Sequence, residues 1–155
     1  MPAAPILLLD QTDSTNAEAR RRADAGETGP LWIVARRQTE GRGRRGRQWE
    51  SQDGNLFSTL LQLTRKSPAE AAQVTFVAAL AIADLLDAYA PPSLVMIKWP
   101  NDVMLAGEKT SGVLVESGAH ESGGLWLAVG VGVNLVHAPE GTERPATALA
   151  HHLRG

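Results

Sequence analysis

The chain contains no cysteine, which excludes a disulfide framework, a thiolate nucleophile and a zinc-thiolate site, and agrees with a reducing compartment. A long apolar run is also missing at the start. The opening MPAAPILLLDQT carries no basic leader, and its apolar stretch ends at Leu9, too short for a signal peptide or a membrane span. No membrane partner is expected, and a cytoplasmic location is the default. Neither a P-loop nor a GxGxxG turn opening a helix is present. Charge of one sign is not in excess either: the net value is -2, which gives no general attraction to nucleic acid.

The charge that is present is unevenly placed. Six arginines and one acid lie between Arg36 and Arg47, so this segment is +5 and the remainder of the chain is -7, which implies a local anion site. With 155 residues, 43% apolar and 21% charged, the chain has the composition of one globular domain, expected over residues 1–155. The final PATALAHHLRG begins like a helix and stops abruptly, which leads us to expect a domain whose C-terminal portion is missing.

Patterning predicts alternating short strands and two helices. Ile6–Leu9 reads as a buried strand, and Thr15 with Glu18 as a capping box opening a helix that Gly26 stops. Leu31–Ala35 is a second strand, followed by a long loop over Gln38–Asn55. The next strand covers Asn55–Leu63. Ser67, Pro68 and Glu70 then start a helix that runs to Pro91, with Val74, Val77, Ala78, Ala81, Ile82, Leu85 and Leu86 expected against a sheet. Strand-like runs follow at Leu94–Trp99, Val103–Ala106, Gly112–Glu116 and Leu125–Val133, the last three spaced as an antiparallel meander.

Four segments carry residue types suited to chemistry. In GRGRRGRQW, Gly41–Trp49, bare backbone and several guanidinium forks suit a phosphate-bearing ligand, although a solvated basic loop or a loose RNA-binding segment has the same composition. In IKWPNDV, Ile97–Val103, a strand runs into a rigid turn that either holds ligand groups at Asn101 and Asp102 or is only a turn. Lys109 follows a tight turn in GEKTSGVLVES, beside the bare backbone of Gly112, where it either stabilises developing negative charge or is a solvated gatekeeper. GVGVN, Gly130–Asn134, has room at a strand end for a ligand, with the Asn134 amide beside it. The four histidines lack the partners of a metal or nucleophile site and are assigned to the surface.

Taken in order, DSTN (Asp13–Asn16), QTEGRGRRGRQW (Gln38–Trp49), DGNLFSTL (Asp53–Leu60), KWPNDV (Lys98–Val103), GEKTSGVLVE (Gly107–Glu116) and GVGVN resemble the catalytic domain of biotin protein ligases. The resemblance implies an α+β fold with a mixed, largely antiparallel sheet and helices packed on it, similar to class II aminoacyl-tRNA synthetases. It implies that biotin and ATP are substrates with Mg2+, and that biotinyl-5′-AMP passes its biotin to a lysine of a biotin carboxyl carrier protein domain. Ser14, Thr15, Gln38, Gly41 and Arg42 would surround the biotin rings and chain, with Lys109 and Gly112 at its carboxylate. Arg44 and Arg47 would close over the phosphate, Lys109 and Arg44 carrying the catalytic charge. Trp49, Asn101 and Asn134 resemble nucleotide contacts, and Asp102 a helper for the metal. No helix-turn-helix precedes Ile6, so DNA is not an expected partner; a homodimer is left open. A small C-terminal barrel of the family is absent from this sequence. The alternatives are a lipoate or octanoate ligase, a folded but inactive fragment, and an arginine-rich RNA-binding module.

Overall fold

The computed structural model describes residues 2–155, and its elements follow the order strand, helix, two strands, two helices, four strands. They are β1 (Ile6–Thr12), α1 (Thr15–Asp24), β2 (Leu31–Gln38), β3 (Leu56–Thr64), α2 (Pro68–Ala71), α3 (Val74–Asp87), β4 (Val95–Lys98), β5 (Asp102–Leu105), β6 (Glu108–Ala119) and β7 (Leu125–Val133). All seven strands form one sheet in the order β1-β2-β3-β7-β6-β5-β4. Only β1 and β2 are parallel, joined through α1; every other pair is antiparallel, so the mixed, largely antiparallel α+β arrangement holds. The expected meander is present and begins one strand earlier, at β4.

Strand β7 shows how the sheet divides its two faces. Its run LWLAVGVGV is almost wholly apolar because both faces are covered, as a central strand requires. Leu127 and Val129 pack with Ala71 of α2, and Val133 packs with Ile82 and Leu86 of α3. Trp126 and Ala128 point the other way, onto Ala19 and Ala23 of α1. Gly130 and Gly132 continue this second face, Gly130 against Asn16 at the start of α1 and Gly132 against the indole of Trp49.

Three expectations need correction. First, β1 is not buried: it is an edge strand, so Leu7 and Leu9 pack toward α1 while Ile6 and Leu8 are exposed. Second, the cap of α1 is Ser14, one residue earlier than expected; its hydroxyl accepts from the Ala17 amide, and Glu18 instead pairs with Arg21 and Arg22. Third, the stretch after the Ser67 and Glu70 capping box, which is present, breaks into α2 and α3, and the chain leaves helical geometry before Pro91. The buried side of α3 is Ala79, Ala83, Ile82 and Leu86, whereas Val77 is 62% exposed and Leu80 57% exposed. Pro68–Asp87 is apolar enough for a membrane span by length and mean hydropathy, 1.6, yet one side of it is built into the core against the sheet.

Candidate functional site

Bare glycines, polar strand residues and a basic hairpin enclose a cleft of about 510 Å³ on the α1 face of the sheet. The floor is assembled from strand positions two apart. Thr59 of β3, Gly130 and Gly132 of β7, and Gly112, Leu114 and Glu116 of β6 share that face. Simple alternation would put Lys109 on the opposite side from Gly112, three residues later. A bulge removes the conflict: Val103 pairs with Ser111 and Met104 with Lys109, so Thr110 has no partner across β5. The slip turns Lys109 onto the face of Gly112, and a side chain on Gly112 would meet Lys109 Cε and Nζ at 3.6 Å. The main chain of Lys109 is held by Pro145 and Thr147 of the C-terminal segment. That segment, expected to start a helix, runs extended past Lys109 and makes only a short 3-10 turn at Leu149–His151.

The inner end of the cleft is a buried hydrogen-bond network. Thr59 Oγ1 lies 2.7 Å from both Thr15 Oγ1 and Asn16 Oδ1. Because the cap is Ser14, the Thr15 hydroxyl is free to face the cleft, where it and the Thr15 amide both reach Gln38 Oε1. Gln38 Nε2 donates to Ser51 Oγ, which donates to the Trp49 carbonyl. On the other side, Asn16 Nδ2 donates to Leu114 O and to Glu116 Oε1, and Glu116 also receives Arg42 Nη2 at 3.1 Å. Few polar groups here lack a partner. The exception is the indole N-H of Trp49, which is buried and unpaired.

Over this floor lies the arginine segment. Instead of an irregular loop it is a narrow hairpin: Arg42 bridges Gln48, the Gly43 amide donates to Arg47 O, and the Trp49 amide donates to Gly41 O. The tip, Arg44–Gly46, is a tight turn with Arg45 in the left-handed region at φ 59°. Trp49 lies flat on the glycines; a β-carbon on Gly132 would come within 2.6 Å of its indole. Lys109 Nζ stands 5.4 Å from the indole centroid and 3.1 Å from Asp102 Oδ1, so its charge is balanced by a carboxylate from β5.

Of the residues singled out from sequence, Ser14, Thr15, Gln38, Arg42, Arg44, Arg47, Trp49, Asn101, Asp102, Lys109, Gly112 and Asn134 all line this one cleft. Gly41 does not line it but is buried at the base of the hairpin. Asn101 and Asn134 have amide nitrogens already donating inside the protein, to Val113 O and Thr147 O. Sequence reasoning missed Asn16, which lines the cleft, and Ser51, Thr59 and Glu116, which do not line it but hydrogen-bond to residues that do. The polar pair Ser58 and Thr59 inside an otherwise apolar strand was the available signal. His137 and His151 are exposed as expected, whereas His120 is buried with one ring nitrogen on Ser122 and the half-buried His152 contacts Thr147. Among the described residues no three His, Asp or Glu side chains converge on a metal position.

A model of the biotin/lipoate A/B protein ligase family matches residues 8–134. The chain belongs to this family. It is 48% identical over 134 residues to a biotin-[acetyl-CoA-carboxylase] ligase of Paracoccus denitrificans, covering 86% of this chain and 55% of that protein. Its fold matches a biotin protein ligase of Leishmania major solved with biotinyl-5-AMP, with TM-score 0.78, 30% identity, and coverage of 95% of this chain and 64% of that one. It also matches the Aquifex aeolicus biotin protein ligase solved with biotin and ATP, with TM-score 0.71, 32% identity, and coverage of 95% and 60%. The chain therefore spans little more than half the length of these relatives.

Proposed function

We propose that this cleft activates biotin with ATP and passes it to a lysine of a biotin carboxyl carrier protein domain. The observation that carries this reading is the pairing of a hydrogen-bonding inner end with a cationic outer end in one cleft. A cyclic urea offers two N-H donors and a carbonyl acceptor. Thr15, Asn16 and Gln38, backed by the buried Thr59, line a wall of matching polarity with which a urea can exchange hydrogen bonds and an apolar dithiolane cannot, and this favours biotin over lipoate. Ser14, Gly41 and Arg42 complete that end.

In the proposed reaction a biotin carboxylate oxygen attacks the α-phosphorus of ATP. The bond from that phosphorus to the bridging oxygen breaks, and pyrophosphate leaves with the electron pair. The amine of the acceptor lysine next attacks the biotinyl carbonyl, and AMP leaves. No side chain forms a covalent bond, consistent with the lack of a cysteine. Lys109 and Arg44, with Arg47, act by holding negative charge, and a closed hairpin keeps water from the mixed anhydride. The carboxylate on Lys109 would exchange Asp102 for the biotin acid, with Gly112 leaving room beside it. Trp49, Asn101 and Asn134 form the nucleotide side. Mg2+ usually binds through one or two carboxylates plus substrate phosphates, and Asp102 fits the part of a single carboxylate; bound there, the ion would neutralise phosphate charge.

The test is pyrophosphate release by the purified chain with biotin, labelled ATP and magnesium. Release with biotin and not with lipoate is expected. Release with lipoate alone would transfer the reading to the other branch of the family, and failure to bind either acid in a calorimeter would end it.

A further inference from the structure

Three arginines tie the hairpin to the body of the protein, and their partners are of two kinds. Arg42 meets Glu116 at 3.1 Å and Arg47 meets Glu143 at 4.0 Å, both partly exposed ion pairs of the sort that hold weakly. Arg44 takes a neutral and buried acceptor instead. Its Nη1 donates to Asn101 Oδ1 at 3.0 Å. Asn101 is 8% exposed and doubly attached to β6: its main-chain oxygen accepts the Val113 amide at 3.0 Å, and its Nδ2 donates to Val113 O at 2.9 Å. With the nitrogen so committed, the amide oxygen is fixed facing the hairpin.

We propose that Asn101 is a positioning residue that latches the hairpin shut through Arg44, and that its neutrality is what lets the latch release. A carboxylate at this position would hold the guanidinium by charge as well as by hydrogen bond, and would compete with an incoming phosphate. An amide supplies the hydrogen bond alone, so a phosphate oxygen outbids it and Arg44 passes from protein to ligand. The hand-over rests on the reading that the cleft takes a nucleotide; the latch itself does not.

Limited trypsin digestion of the ligand-free chain tests the latch, because cleavage after Arg45 and Arg47 requires the hairpin to open. Loss of one hydrogen bond to a charged group should speed that cleavage about fivefold or more in Asn101→Ala. Arg44→Ala, which changes an exposed side chain and leaves Asn101 in place, should give the same increase, and the double variant no more than either single one. Cleavage at the wild-type rate in Asn101→Ala, or additive effects in the double variant, would overturn the latch. Asn101→Asp gives up the same bond to Val113 O as Asn101→Ala but adds a charge facing Arg44, so it should be cut more slowly than Asn101→Ala and bind ATP about tenfold more weakly than wild type in a calorimeter. If Asn101→Asp digests like Asn101→Ala, the argument from neutrality fails. If wild type binds no ATP, the nucleotide reading fails while the protease result still decides the latch.

Discussion

Thr59, beneath the cleft floor, is fully buried and bounded by two hydrogen-bond neighbours at 2.7 Å, whereas Arg44 and Arg47 above it are exposed and each joined to the body by a single contact. The floor is built on β3, β6 and β7, whose positions are fixed by nine-residue ladders on both sides of β7. The cover hangs from two strand ends. A saturated polar floor pre-pays the orientation of the groups that recognise a ligand, while a loosely attached cover admits it. Rigidity and access are thus assigned to different parts of the chain.

The comparison is broken most severely at Lys109, the one cation that belongs to the floor. Lys109→Ala should lower adenylate formation by about a hundredfold or more, as loss of a pre-oriented charge does, while the melting temperature moves by only about 2–4 °C. A rate near wild type would remove Lys109 from the chemistry. Glycine substitutions come next. A β-carbon on Gly130 would sit 2.3 Å from Asn16 Oδ1, and Asn16 is buried with its nitrogen engaged on two oxygens, so it has nowhere to move. Gly130→Ala should cost about 3 kcal/mol or more, the upper end of overpacking, because the clash is severe and Asn16 cannot yield. Gly46, in the cover at φ 71°, faces open space, and Gly46→Ala should cost no more than about 1–2 kcal/mol for the left-handed backbone alone. Chemical denaturation of the two variants sharpens the contrast: equal losses would mean that the floor is as yielding as the cover.

How far the sequence foretells this architecture depends on which interaction decides each element. Apolar runs between turn residues mark every strand, because burial between neighbours demands them, and the central β7 is the most apolar of all. The side of α3 that faces the sheet was not legible. Val74, Val77, Leu80, Leu85 and Leu86 leave no polar side, so periodicity names several stripes, and the sheet selects the one bearing the small residues Ala79 and Ala83, which permit close approach. The cap of α1 slipped by one residue because Ser14 and Thr15 are equivalent N-caps, and only the position of Gln38 on β2 gives Thr15 a different partner. Arginine, glycine and lysine chemistry marked the cleft's outer residues as candidates, and the family resemblance chose between a ligand site and a solvated basic loop. Of the cleft's inner network the resemblance named Thr15 and Gln38, but Asn16, Thr59 and Glu116 were not legible, since Thr59 and Glu116 lie 43 and 100 positions from Asn16 and only the folded sheet joins them. The bulge at Thr110 left no local mark at all, yet it decides where Lys109 points.

The smallest effect expected is at the support beneath the floor, where α1 begins. Arg21 grips Asp13 with two hydrogen bonds, Nη1 to Oδ2 at 2.9 Å and Nη2 to Oδ1 at 2.8 Å, and the Ser14 amide adds a third at 2.7 Å. The Arg21 guanidinium, with the smaller help of that amide, holds the Asp13 carboxyl well below the usual carboxylate range. A carboxyl depressed in the folded state stabilises the fold fully at pH above its ordinary value of about 3.8, and that contribution declines as pH falls from there toward the depressed folded value. The pair is partly exposed, so the effect should be about 1 kcal/mol or less, or about 2–4 °C in melting temperature. Asp13→Asn should melt lower than wild type at pH 6, and the two melting temperatures should draw together, without yet meeting, as pH is lowered toward 2. Convergence would tie this increment to the carboxylate, whereas a constant offset across that range would assign it to the uncharged hydrogen bonds that cap α1 and set Ser14 and Thr15 at the edge of the cleft.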